Sequence, residues 1–177
     1  MKKSAIVRYE DLTPRQLRTT LLGFAGEFAM QARDHASVER IALLGSILTS
    51  KDNPSDIDLL VTVSDECNLA PLAALGRRLK GRAQGLNHGA DVFLASAGGT
   101  YIGRTCPWRA CRRGIRASCD AVHCGARPYL HDDLGTVMLP DALVREPPLE
   151  IVPTVIARIA LPADVADWVA RLQAPAT

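Results

Sequence analysis

The sequence predicts an α/β or α+β fold: a mixed central β-sheet flanked by helices. Three observations lead there. Residues 38–44 and 56–63 are short, nearly continuous apolar runs, the pattern of strands covered on both faces. Segments 14–36 and 68–83 carry apolar side chains at helical spacing. The hydrophobic content of 47% over 177 residues suits one packed domain with a small appendage.

The elements follow in order. Thr13 is placed to cap a helix, Pro14 suits its first position, and Gln16 completes a capping box. Leu12 and Leu17 sit where a hydrophobic staple would. Leu17, Leu21, Phe24 and Phe28 form the inward stripe, and Gly23 and Gly26 are expected to allow close packing against the sheet. Val38–Leu44 is the first strand and 56–63 the second. Asn68 can cap a helix running to about Arg82, with Leu72, Leu75 and Leu79 inward. Arg77, Arg78, Lys80 and Arg82 crowd its C-terminal end, where the macrodipole favours cations. Gly85–Gly89 is a turn, and Ala90–Ala95 a third strand.

Gly98-Gly99 marks a break, and 101–131 then changes character. It holds four of the five cysteines, six arginines and little hydrophobic periodicity. Such a segment needs a staple or a partner. Cys106, Cys111, Cys119 and Cys124 supply four thiolates for a structural zinc ion, with His123 and His131 as substitutes. The spacing lacks the paired C-x2-C knuckles of standard zinc fingers. Reduced cysteines near a cleft and disulfides remain the other readings. Arg104, Arg109, Arg112, Arg113 and Arg116 beside Trp108 suit a triphosphate or an RNA backbone, or form a solvated basic face. Beyond His131, strand-like pieces occur at Thr136–Leu139 and Glu150–Val152, with Pro140, Pro147, Pro148 and Pro153 expected to confine them to edges or extended coil. A last helix is expected from Pro162, with Val165, Trp168, Val169 and Leu172 inward and Asp164 complementing the dipole. The expected organisation is a core over 1–100, a Cys/Arg-rich insert over 101–134 and a C-terminal extension over 135–177.

A formal charge of +2 gives no global field arguing for nucleic acid. No apolar stretch approaches the ~20 residues needed to span a bilayer. Arg8, Glu10 and Asp11 interrupt any signal-peptide core after the basic start. The expectation is a cytoplasmic protein with no membrane partner, its cysteines thiols or metal ligands.

The chemistry gathers at Leu43-Leu44-Gly45-Ser46 and, nine residues on, Ser55-Asp56-Ile57-Asp58. Residues two apart on a strand share a face, so Asp56 and Asp58 aim together while Ile57 points into the core. Two carboxylates that close repel unless a cation sits between them. Hard oxygen ligands suit a magnesium-type ion that takes its other ligands from substrate phosphates. Glycine lets backbone approach a phosphate, and Ser46 and Ser55 are the companion nucleotide-binding candidates. Asp91, at the start of the third strand, is a candidate further carboxylate, or merely caps the strand entry. Asp65 and Asp120 are weaker rivals. No Gly-x4-Gly-Lys-Ser/Thr, Gly-x-Gly-x-x-Gly, His-Glu-x-x-His or Gly-x-Ser-x-Gly motif competes.

This pattern resembles the nucleotidyltransferase superfamily, which includes small antitoxin-type nucleotidyltransferases, antibiotic nucleotidyltransferases and polymerase β. The resemblance covers about residues 38–95. It implies a nucleotidyltransferase-like sheet and an enzyme that moves a nucleoside monophosphate from an NTP, ATP foremost, to a hydroxyl of a protein, an RNA or a small molecule. It implies Mg²⁺ or Mn²⁺ held by Asp56, Asp58 and Asp91, with Asp91 as ligand or general base. Two other readings stand beside it. One is a nucleotidyltransferase-fold binding module, such as an antitoxin-like partner of a toxin subunit, with little turnover. The other is a zinc-stapled nucleic-acid binder dominated by 101–131.

Overall fold

The computed structural model describes residues 12–111, 127–131 and 135–174. Helix α1 (Pro14–Arg33) begins at the expected capping box: Gln16 N–H donates to the Thr13 hydroxyl, and the Gln16 side chain accepts from Thr13 N–H. It stops at Arg33, three residues short of the expected end, because Asp34 takes over as its C-cap. Strand β1 (Val38–Leu44) leads through a single 3-10 turn (Ser46–Leu48) to β2 (Asp56–Val63). Helix α2 (Leu69–Gln84), capped by Asn68, crosses to β3 (Gly89–Ser96). Strands β4 (Tyr101–Thr105) and β5 (Leu130–His131) follow. Then come α3 (Asp141–Arg145), β6 (Leu149–Val152), β7 (Ile156–Ala157) and α4 (Ala163–Gln173).

Among the described residues seven strands join one sheet in the order β5-β4-β3-β2-β1-β6-β7. Only β2 and β3 run parallel, which the α2 crossover permits. The other pairs are antiparallel. The sheet is therefore mixed.

Its two faces differ. Ile41 and Leu43 of β1, Ile57, Leu59 and Val61 of β2, and Ala90, Val92 and Leu94 of β3 share one large core with α1, α2 and α4. Leu21, Leu22, Leu59 and Leu72 are fully buried there, each contributing about 1.5–3 kcal/mol. The opposite face carries a smaller cluster of Ala42, Leu44, Leu60, Ala95, Tyr101 and Val144. This double cover is why β1 and β2 read as continuous apolar runs.

Four expectations need correction. Gly26 makes room for α4 rather than for the sheet: a Cβ there would lie 3.1 Å from Trp168 Nε1. Thr136–Leu139 is no strand; Val137 and Leu139 pack on the smaller cluster, and Pro140 caps α3. The strand at 149–152 is interior, between β1 and β7, because Pro147, Pro148 and Pro153 bracket it without entering its ladder. Tyr101–Thr105 and Leu130–His131 are sheet strands despite their weak periodicity. The last helix matches its expected face: Val165, Trp168 and Val169 are buried. Among the described residues no helix is long and apolar enough to cross a membrane.

Candidate active site

The β2–β3 register places the acidic side chains. Asp58 is the Cα partner of Asp91, and Asp56 that of Gly89. Residues in register share a face, and Asp56 shares Asp58's by alternation. Ile57 and Ala90, their neighbours in sequence, lie in the helix-side core. All three carboxylates thus stand on the face away from the helices, at the start of the two parallel strands. Asp91 falls on the same side as the other two.

Backbone shapes the space around them. Gly45, directly after β1, has φ +78°. A Cβ there would lie 2.3 Å from Asp58 Oδ2, so both conformation and space require glycine. Gly89 is equally confined: its N–H donates to Asp56 Oδ1 at 2.9 Å, and a Cβ would come within 2.2 Å of the same oxygen. Ser46 Oγ accepts from Ser55 N–H at 2.9 Å, which leaves the Ser46 hydroxyl proton to donate elsewhere. That bond closes the loop between β1 and β2 on itself. Gly45, Ser46, Ser55, Asp56 and Asp58 are therefore one compact unit.

The electrostatics are unbalanced. Burial, then the Asp56 and Asp91 carboxylates, push the Asp58 carboxyl from 3.8 up to about 6. Burial and then the acidic neighbours disfavour the charged form of Asp58, and a cation at the site would offset both. Asp91 meets cations from another direction: its Oδ1 lies 3.2 Å from Arg104 Nη1 and 3.6 Å from Lys80 Nζ. Among the described residues no three His, Cys, Asp or Glu side chains are grouped so as to hold a metal ion. Asp56 and Asp58 thus form a pair, with Asp91 held by two cations beside it.

Several residues that build the site are not conspicuous in the sequence. Arg18 is 6% exposed. Its Nε meets Asp164 Oδ2 at 2.6 Å, and its two Nη groups donate to Lys51 O at 2.7 Å and Ile47 O at 2.9 Å. One guanidinium thus ties α1 and α4 to the loop carrying Ser46. Its guanidinium, with backbone hydrogen bonds at Val165 and Asp164, holds the Asp164 carboxyl below its ordinary value against a countervailing burial. A legible signal existed: Arg18 shares the inward face of α1 with Leu21, Leu22 and Ala25, where a lone charge needs partners. His88 is also buried; its Nδ1 lies 2.6 Å from Leu86 O and its Nε2 2.9 Å from Asn53 Oδ1. It pins the other end of the loop beside Gly89.

The remaining candidates are scattered. Asp65 lies in the turn after β2, at the far end from Asp56. Cys106 is buried and Cys111 half-buried, with no disulfide between the described cysteines, and Tyr129 N–H donates to Cys111 Sγ at 3.2 Å. Arg112, Arg113, Arg116, Cys119, Asp120, His123 and Cys124 lie outside the described residues, and with them most of the expected zinc set. The basic end of α2 disperses: Arg82 pairs with Glu27, Arg78 donates to Gln31, Arg77 donates to Trp108 O, and Lys80 meets Asp91. A cavity of about 580 Å³ opens between α2, β3 and β4, with Asp91 on its wall.

No protein-family model matches the chain, and no curated protein matches it. Among solved structures, a crystal structure from Sulfolobus solfataricus, provisionally assigned as a nucleotidyltransferase, is similar at 17% identity and a TM-score of 0.34. The alignment covers 59% of this chain and 92% of that one.

Proposed function

We propose that the chain is a nucleotidyltransferase, moving a nucleoside monophosphate from an NTP to an acceptor hydroxyl. The observation behind this reading is the in-register pairing of Asp58 with Asp91, with Asp56 on the same face and Gly45 packed against the Asp58 carboxylate. That arrangement concentrates negative charge where a triphosphate would come, so a divalent cation must be part of the ligand.

Mg²⁺ or Mn²⁺ fits the donor set. Asp56 and Asp58 are two hard carboxylates on one face, and burial followed by their mutual repulsion raises the Asp58 carboxyl, which a cation would offset. Such an ion needs only one or two protein carboxylates when phosphates complete its shell. When bound it neutralises charge on the phosphate oxygens.

The protein's own groups do the rest. Gly45 lets the phosphate chain approach the backbone without a side chain between. The Ser46 hydroxyl, with Ser55 N–H already on its oxygen, donates its proton to a phosphate oxygen. Asp91 receives the proton of the acceptor hydroxyl. The acceptor oxygen bonds to the α-phosphorus, the bond to the β-phosphate bridge breaks, and pyrophosphate leaves.

The test is direct. Full-length protein is incubated with each NTP labelled at the α-phosphate, Mg²⁺ or Mn²⁺, and total cellular RNA or protein. Pyrophosphate release and label transfer are scored for wild type and Asp56→Asn. Asn keeps an oxygen for Gly89 N–H and removes the charge, so the fold survives and transfer falls by orders of magnitude. Full transfer by that variant would sink the mechanism.

The two ion pairs on Asp91 favour a second reading, in which the chain binds nucleotide and does not turn it over. Saturable NTP binding without pyrophosphate release would select it.

A further inference from the structure

We infer that the cavity beside Asp91 is the acceptor subsite and that it takes the end of a single-stranded polynucleotide. The acceptor half of this statement rests on the transfer reading above; the binding half rests on the cavity alone.

The walls carry Arg77, Lys80, Arg104 and Arg109 against one carboxylate, Asp91. Lys80 and Arg104 already meet that carboxylate, and Arg77 donates to the neutral Trp108 carbonyl, so among the described residues Arg77 and Arg109 leave a net positive charge on a concave wall. An anionic ligand relieves that repulsion. Trp108 stands on the same wall, 45% exposed. Its indole is a flat face on which a base can stack, and guanidinium groups beside an aromatic ring fit a sugar-phosphate strand. Inorganic phosphate or an acidic peptide would use the charges and leave the ring idle. A volume near 580 Å³ is that of a ligand pocket, room for one nucleotide unit.

Strand order separates this place from the donor's. Gly45 and Ser46 follow β1, the Asp56–Asp58 pair opens β2, Asp91 lies on β3, and the cavity continues to β4. Along the strand order the phosphate loop and the cavity therefore lie on opposite sides of the carboxylates; the cavity lies toward α2 at the edge of the sheet, and Asp91, met by Lys80 of α2, is the carboxylate the two regions share. A triphosphate entering over Gly45 and a hydroxyl arriving from the cavity would meet between them. In the step, the terminal hydroxyl of the strand gives its proton to Asp91, its oxygen bonds to the α-phosphorus, and pyrophosphate departs with the electrons of the broken bond.

The experiment measures binding without turnover. A fluorescently labelled 12-nucleotide single-stranded RNA is titrated with the full chain, without NTP or divalent ion, from 50 to 300 mM salt. Lys80→Glu and Arg109→Glu are each expected to weaken binding tenfold or more. Each should also flatten the log K against log salt slope by about 0.7 for every phosphate the variant no longer neutralises. Trp108→Ala is expected to weaken it about fivefold or more, and RNA should quench the Trp108 emission in a Trp168→Phe background. Arg33→Glu, an exposed charge at the end of α1, should change nothing. Loss of binding in the cavity variants, with no nucleotidyl transfer by wild type, keeps the polynucleotide site and removes the transfer reading. Transfer with strand binding indifferent to these variants overturns the cavity assignment and leaves the transfer reading standing. No RNA binding by wild type, or equal competition by poly-glutamate, also overturns the assignment.

Discussion

Replacing Asp58 with Asn should make the protein more stable at neutral pH while abolishing transfer. The carboxyl titrates near 6 in the fold and near 3.8 when unfolded. Between those values the native state binds the proton the unfolded chain has lost, so stability falls as pH rises through the window. Two pKa units at 1.36 kcal/mol each set a ceiling of about 3 kcal/mol. Asp58 is only half-buried, and solvent screening brings the expected gain to about 1–2 kcal/mol. In a chain of this size each kcal/mol raises Tm by about 2–4 °C. Chemical denaturation of both proteins from pH 3.5 to 8 reads the difference directly. The advantage of Asn should be near zero below pH 3.8, grow through the interval and level off above 6. Other acids, such as Glu27 and Asp164 with their lowered values, cancel in the difference. Saturating Mg²⁺ should stabilise wild type and close the gap, because the ion supplies the charge that Asn makes unnecessary. A variant less stable than wild type above pH 6, or a difference that does not vary with pH, would show that burial and the neighbouring carboxylates do not raise Asp58 as the geometry requires.

Gly45→Ala should lose both stability and transfer, since φ +78° and a contact of 2.3 Å with Asp58 Oδ2 must both be relieved; a cost of about 2 kcal/mol or more is expected by denaturation. Arg18→Met breaks the pair with Asp164 and releases Ile47 O and Lys51 O, at about 2–4 kcal/mol. It should also raise the KM for NTP by loosening the Ser46 loop. The Arg18–Asp164 contribution is present above the unfolded carboxylate value of 3.8 and is lost as pH falls through the depressed folded one, so wild type and Arg18→Met should converge in strong acid. His88→Ala frees Asn53 and the turn before Gly89; a KM rise for NTP larger than its fall in kcat would mark His88 as a positioning residue.

How much of this was legible follows from range. The capping box at Thr13, the two central strands and the inward face of α4 are local patterns, and each appears close to where its residues indicated. The pairing of Asp56 with Asp58 on one face follows from strand alternation alone. Tyr101–Thr105 was illegible because Gly103 and Arg104 break its apolar pattern; its place beside β3 comes from a ladder with Phe93 and Leu94. Leu149–Val152 looked like an edge because prolines surround it, and only pairing with β1 makes it interior. Arg18 and His88 were missed for a related reason: their partners lie 146 and 35 residues away.

By itself the sequence determined a glycine-serine bend followed by two acids on one strand face, because backbone period and turn chemistry act over a few residues. The tertiary structure alone decided that Asp91 stands in register with Asp58, that Arg104 and Lys80 meet it, and that a basic cavity opens on its far side from Gly45. Register between β2 and β3 is set by which side chains of each strand must be buried on the covered faces, and no local spacing encodes which residue of one strand will face which residue of the next.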